Sequence, residues 1–186
     1  MQSRLSLMLT ISIFAIGCAS PPVNRISSSP LAVEENVDLD RYLGRWYEIA
    51  RFPNSFEKNC EGVTADYAMR PDGLISVVNT CRKDSASGAI KTAKGRARIV
   101  DKTTNAKLKV SFFGPFWGDY WILDLADDYS LSLVGEPSGR YLWILSRTPI
   151  ISQKAKETAL TKLEAIGYNV SALYFPDQPP ARDPMN

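Results

Sequence analysis

The chain has 186 residues, 22 basic against 20 acidic side chains for a formal charge of +2, 45% hydrophobic residues, three cysteines and no histidine. Without histidine there is no Ser-His-Asp or Cys-His relay, no His-ligated zinc and no imidazole base near neutral pH. The length suits one domain with a real core. The balanced charge lacks the clustered Lys and Arg surplus that a nucleic-acid binder needs, and no metal or cofactor is expected.

Residues 1–17 read as a secretory leader. Arg4 supplies one positive charge, Leu5 to Ile16 is apolar apart from small hydroxyl residues, and no acidic residue precedes Glu34. The run is shorter than the roughly 20 residues a membrane span requires but fits a signal-peptide core. It ends Ala15-Ile16-Gly17-Cys18, which resembles the lipobox of bacterial lipoproteins. That likeness implies cleavage before Cys18 and lipidation of its thiol with palmitate-type chains. With Ala19 rather than Asp following, it also implies a periplasm-facing anchor in the outer membrane. From residue 18 to 38 the chain holds three prolines and four serines, the composition of a flexible tether.

The body, residues 39–175, has period two through most of its length. Strands are expected over Gly44–Phe52, Val63–Met69, Leu74–Arg82, Ile90–Val100, Lys107–Phe112, Gly118–Leu125, Leu131–Glu136 and Tyr141–Ser146. Arg70-Pro71-Asp72-Gly73 and Pro137-Ser138-Gly139 are turns in which Pro presets φ and Gly accepts a positive one. Eight such strands predict an all-β, antiparallel up-and-down barrel. On the fourth strand Ala93, Gly95 and Ala97 share a face; small inward residues either leave room for a ligand or mark a strand twisted tightly against its neighbour. Ser152 as N-cap, Ala155, Ala159, Leu163 and Ile166 on one stripe, and Gly167 as C′ residue predict one helix packed outside the barrel. Val170–Tyr174 is expected to add a short edge strand. The Pro-rich tail, 176–186, should be loosely held.

With Cys18 acylated, Cys60 and Cys81 remain. In an oxidising compartment an even pair reads as a disulfide. The alternative, a reactive thiol, has no histidine and no redox-type spacing beside it to activate it.

Gly44-Arg45-Trp46-Tyr47-Glu48, after the short Leu39–Leu43 turn, resembles the opening Gly-x-Trp motif of the lipocalins, and Arg147 stands where the family's third motif would. Lys109–Phe116 and Tyr141–Pro149 resemble stretches of the lipocalins of bacterial outer membranes. The resemblance implies that Trp46 closes one end of the barrel with the Arg147 guanidinium across its ring, and that Gly44, Trp46 and Arg147 serve the fold. The family's second motif, Thr-Asp-Tyr, is matched in residue types but not in spacing by Asp127, Asp128 and Tyr129.

The resemblance further implies a carrier of hydrophobic small molecules, fatty acids or lysophospholipids, without covalent chemistry. An envelope lipoprotein with a filled barrel and a lipid-modifying enzyme are the alternatives, and a homodimer is left open. Parity turns Trp143 and Leu145 inward with Arg147, together with Val63, Tyr67 and Met69, Ile75, Val77 and Asn79, and Leu108, Val110 and Phe112. This is an apolar lining with a few polar tips, in which Asn79 and Tyr67 are candidates for orienting a head group. Parity does not separate Tyr120 from Trp121; the resemblance favours Tyr120. Glu48 shares the parity of Trp46, so it is either buried against a base or exposed.

Overall fold

The computed structural model describes residues 20–27 and 29–179, so the leader and Cys18 lie outside the described residues. A four-residue helix, α1 (Leu39–Tyr42), is capped by Asp38, whose carboxylate accepts from the backbone N–H groups of Asp40 and Arg41. Eight strands follow: β1 Gly44–Arg51, β2 Cys60–Met69, β3 Ile75–Lys83, β4 Ile90–Ile99, β5 Lys107–Ser111, β6 Gly118–Leu125, β7 Leu131–Gly135 and β8 Leu142–Ser146. Each pairs antiparallel with the next, and β8 returns to β1, so the sheet closes as a barrel.

Register turns alternate side chains inward. Trp46 stands opposite Ala65, Ala65 opposite Asn79 and Asn79 opposite Ala93, so these four share the interior face. The inner apolar cluster is built on Tyr42, Trp46, Ile75, Val77, Leu108, Ile122, Val134 and Leu145. A second cluster lies outside the barrel, where α2 (Gln153–Ala165) places Ala159 and Leu163 against Ala50, Phe52, Leu123, Leu133 and Ile144. Ser152 caps this helix through Ala155 N–H, and Gly167, at φ +92°, carries the chain out of it.

The edge strand expected over Val170–Tyr174 is not formed. Asn169 caps a single 3₁₀ turn, Val170–Ala172, and only Tyr174 makes a β-bridge, with Arg51. The reason is local: Asn169 accepts from the Ser171 N–H and hydroxyl, which winds the backbone before it can extend.

The described parts of both segments expected to be loose are docked. Asn24 N–H donates to Gly139 O (2.9 Å), Ile26 N–H to Gly167 O (2.9 Å), Glu34 N–H to Ile122 O (2.9 Å) and Val37 N–H to Thr104 O (2.8 Å). Leu31 and Val37 are buried. Residues 24–27 and 29–38 therefore belong to the body rather than to a tether, because their few apolar side chains and backbone donors find partners along the barrel.

At the other end, β1 pairs β2 only from Gly44 to Tyr47. Beyond that the strands part, and the tail fills the split. Tyr174 exchanges backbone hydrogen bonds with Arg51, Gly62 N–H donates to Asp177 O (2.7 Å), and the Gln178 amide donates to Glu48 O (2.7 Å) and Val63 O (3.1 Å). Proline at 176 is buried in this strap, so residues 176–179 are held, not loose. Their role is to satisfy main-chain groups that the parted strands leave without a ladder.

Cys60 and Cys81 form a disulfide between the start of β2 and β3, closing a 21-residue separation. Replacing both with alanine is expected to lower the unfolding free energy by about 3 kcal/mol on chain-entropy grounds. Urea unfolding of the variant beside the oxidised wild type measures the loss; a midpoint unchanged within error would contradict it.

Candidate functional site: the barrel interior

The closed end is sealed around Trp46, which is fully buried. Its indole N–H donates to Tyr42 O (2.8 Å), and the Arg147 guanidinium lies 3.8 Å from its ring centroid, a cation–π contact. Arg147 also donates to Arg45 O (2.8 Å), Arg41 O (2.6 Å), Tyr42 O (3.0 Å) and Tyr129 O (3.3 Å). Gly44 has φ +90°, and Arg147 Nη1 would sit 3.6 Å from any Cβ there. The turn after β6 joins this seal: Tyr129 lies beneath Arg41 (3.9 Å) and its hydroxyl accepts from Asp38 N–H (2.8 Å). Asp128 accepts from Ser130 N–H (2.9 Å), shaping the turn. The imperfect second motif thus still ties its turn to the sealed end.

Above the seal lie three tyrosines. Tyr42 and Tyr120 hydroxyls are 2.8 Å apart, Tyr67 and Tyr120 3.2 Å, and Tyr42 also meets Ser132 (3.3 Å). Burial pushes the Tyr42 hydroxyl up to about 12 and drives those of Tyr67 and Tyr120 upward as well, so the three stay neutral donors and acceptors through the physiological range. Asn79 shares the interior face, and its Oδ1 is buried without a partner among the described residues.

Most of the other residues read as lining pack on the inner cluster. Val77 and Leu145 are buried in the inner cluster, while Tyr67, Val110, Phe112, Tyr120 and Trp143 are half-buried against it. Trp121 points outward, beneath Lys107. The small-residue face of β4 divides. A Cβ on Gly95 would come within 2.8 Å of the Phe112 ring, so that gap is filled. Ala93, further up the same face, is exposed. Met69 is also exposed, at the closed-end tip of β2, and Val63 is buried beside the Gly62 bend, outside the inner cluster.

One group was not legible in full. A β-bulge between Glu48 and Ala50 shifts the phase of β1, setting Arg51 opposite Trp143. Arg51 is thereby buried, and its Nη1 donates to the buried Glu48 carboxylate at 2.5 Å. Arg51 Nη2 donates to Glu57 O and Cys60 O (3.0 Å each). Glu57, on the loop between β1 and β2, accepts from the Trp143 indole N–H (3.2 Å) and from the Asn54 amide (2.5 Å). The interior mouth thus holds two carboxyls and one guanidinium. Burial, followed by the Glu57 carboxylate, raises the Glu48 carboxyl well above the usual range despite Arg51. Parity could place Glu48; nothing in the sequence marked the bulge that brings Arg51 in or the loop that brings Glu57.

Because Glu48 holds its proton more tightly folded than unfolded, the native state loses stability as pH rises through its raised value. Glu48→Gln removes that titration, so the variant should gain on wild type from about pH 4 upward, until the raised value is passed. Urea unfolding across that range reads the slope; a gain that shrinks with rising pH would mean the Arg51 attraction outweighs burial.

The chain matches the model of the lipocalin-like domain over residues 37–178. It is 41% identical over 170 residues to the outer membrane lipoprotein Blc of Escherichia coli (strain K12), covering 91% of this chain and 93% of that one. To Blc of Vibrio cholerae it is 36% identical, covering 94% and 99%, and to temperature-induced lipocalin-1 of Arabidopsis thaliana 39% identical, covering 77% and 81%. Insecticyanin from Manduca sexta has the same fold, with a TM-score of 0.64 at 21% identity and 87% of each chain covered. The closed barrel with its sealed end and apolar interior face and these similarities lead to one conclusion: the chain belongs to the lipocalin family, binders of hydrophobic ligands, and is an outer-membrane lipoprotein.

Proposed function

We propose that this protein is a membrane-tethered carrier of single-chain lipids, fatty acid or lysophospholipid, anchored through acylated Cys18 and performing no covalent chemistry. The observation that carries the reading is the lining itself. Trp143, Tyr67, Tyr120, Val110 and Phe112 face inward yet are only partly buried, and Ala93 on the same face is open to solvent. In a filled barrel those side chains would be as buried as Trp46. An acyl chain laid along them removes apolar surface from water at about 25 cal/mol per Å².

The charges at the mouth support binding by the chain more than by the head group. Arg51 is committed to Glu48 and to two carbonyls, so it holds no free N–H fork for a ligand carboxylate. Asn79, with its unpartnered oxygen, and Tyr67 are the groups able to meet a polar ligand atom. The non-enzymatic part of the proposal is supported by Cys60 and Cys81 being joined, which leaves neither thiol as a nucleophile.

Palmitate titrated into the folded protein is expected to change tryptophan emission, and Trp143→Ala to remove most of that change. Unaltered emission at saturating lipid, with a folded barrel by near-UV dichroism, would defeat the carrier reading. For the anchor, the intact mass of protein extracted from its own membrane should show a chain beginning at Cys18 plus acyl groups; a mature chain starting elsewhere would refute it.

A further inference from the structure

We propose that the open end of the barrel is a membrane-docking surface. Phe56, Phe113 and Phe116 and the basic hairpin of β3 and β4 rest on the anionic phospholipid leaflet that holds the anchor, so that the ligand cavity opens onto the bilayer. The inference rests on the acylated-Cys18 reading and goes beyond it by fixing which face of the protein meets the membrane.

The first support is where the anchor leaves the fold. The loops β1–β2, β3–β4, β5–β6 and β7–β8 lie at the open end, and Asn24 is hydrogen-bonded to Gly139 in the last of them. Asn24 lies six positions after Cys18, a leash of about 20 Å at full extension. Strands of eight to ten residues make a wall about 20 to 25 Å high once tilted. With a leash no longer than the wall even when fully stretched, the open end is the one held at the leaflet that carries Cys18.

The second support is the rim. Phe113 is 81% exposed, Phe116 76%, and Phe56 and Ile90 62% each; the phenylalanines stand on two of the four open-end loops, and Ile90 opens β4 beside a third. Exposed aromatics at loop tips are costly in water and are favoured at a lipid interface. The third is charge. Residues 82–94, the open-end part of this hairpin, contain four Lys or Arg and one carboxylate, Asp84. Lys94, Arg96 and Arg98 are in no ion pair among the described residues, and the two arginines lie over the Trp117 ring at 5.4 and 4.5 Å. The three closed-end turns, 70–74, 100–106 and 126–130, carry four carboxylates against two cations. An anionic surface therefore attracts the open end over the closed one.

The test uses the full lipoprotein in vesicles of phosphatidylethanolamine and phosphatidylglycerol, with an environment-sensitive fluorophore on Phe113→Cys or, at the closed end, on Asp72→Cys. The label at 113 should shift to the blue, brighten severalfold and be quenched by nitroxide-bearing lipid, while the label at 72 stays solvent-like. Phe113→Ser with Phe116→Ser should slow transfer of a fluorescent fatty acid from vesicle to protein severalfold, with its affinity in solution unchanged. Both substituted side chains are exposed, so folding should be kept.

A solvent-like label at 113, or equal shifts at both positions, would overturn the proposal. So would a shift that appears only when envelope proteins are added, which would assign the rim to a protein partner. Intact mass of the same preparation reads the acyl chains separately. Acylated protein with an unshifted label defeats docking alone. If no acyl chain is found, the anchor reading fails, and docking then stands or falls on co-sedimentation with the same vesicles, weakened by added salt.

Discussion

A barrel that is to hold a ligand must be sealed at one end without being filled throughout, and here the seal is built on Arg147. Its guanidinium lies across Trp46 and reaches four carbonyl oxygens, on α1, β1 and the β6–β7 turn. Only a planar fork with five N–H groups can stack on a ring and satisfy that many acceptors together. The capped helix α1 is held over the barrel end by the same contacts, and Tyr42 passes from it into the interior to meet Tyr120 and Ser132. The floor of the cavity and the seal are therefore one network, and the upper lining is free to stay open.

The upper half of the barrel is held differently. Where β1 and β2 part, the wall consists of side chains and a strap of tail. Arg51 binds Glu48 inside, the carbonyls of Glu57 and Cys60 alongside, and the Tyr174 ring at 4.8 Å. Glu61, also buried, accepts from the Tyr174 hydroxyl and from Asp177 N–H. The Cys60–Cys81 bond fixes the β2 side of this split to β3. Each of these elements covers polar groups that another exposes, so the corner forms as a unit: without the strap, Glu61 and the Glu48 carbonyl would lose their partners while still shielded from water.

Period two made the barrel legible, because a half-buried strand must alternate, and it placed Val77, Asn79, Val110, Phe112, Trp143 and Leu145 on the interior face. It failed at irregularities. The bulge in β1 exchanges the roles of Ala50 and Arg51, so that Ala50 packs toward the helix and Arg51 turns in. The bend at Gly62, with φ +53°, likewise breaks the ladder between Glu61 and Thr64. Nothing in composition distinguishes a proline-rich segment that dangles from one that docks; that depends on whether carbonyls such as Gly139 O and Ile122 O stand free along its path. Glu57 was invisible for a related reason: it acts from a loop, where there is no period to read.

The absence of histidine acquires a physical consequence in the finished cavity. Among the described interior groups, burial moves Tyr42, Tyr67 and Tyr120 further from neutrality, so their hydroxyls do not ionise in the range where the protein works. The Cys60 and Cys81 sulfurs are joined and do not titrate. Glu48, raised by burial and by Glu57, is then the interior group whose charge is poised to change on the way up from acid pH. A cavity mouth whose guanidinium is already occupied by Glu48, and where the Glu57 carboxylate accepts from the edge of Trp143, offers an anionic head group little attraction. Its affinity has to come from the apolar lining, and its dependence on pH from carboxyl chemistry alone.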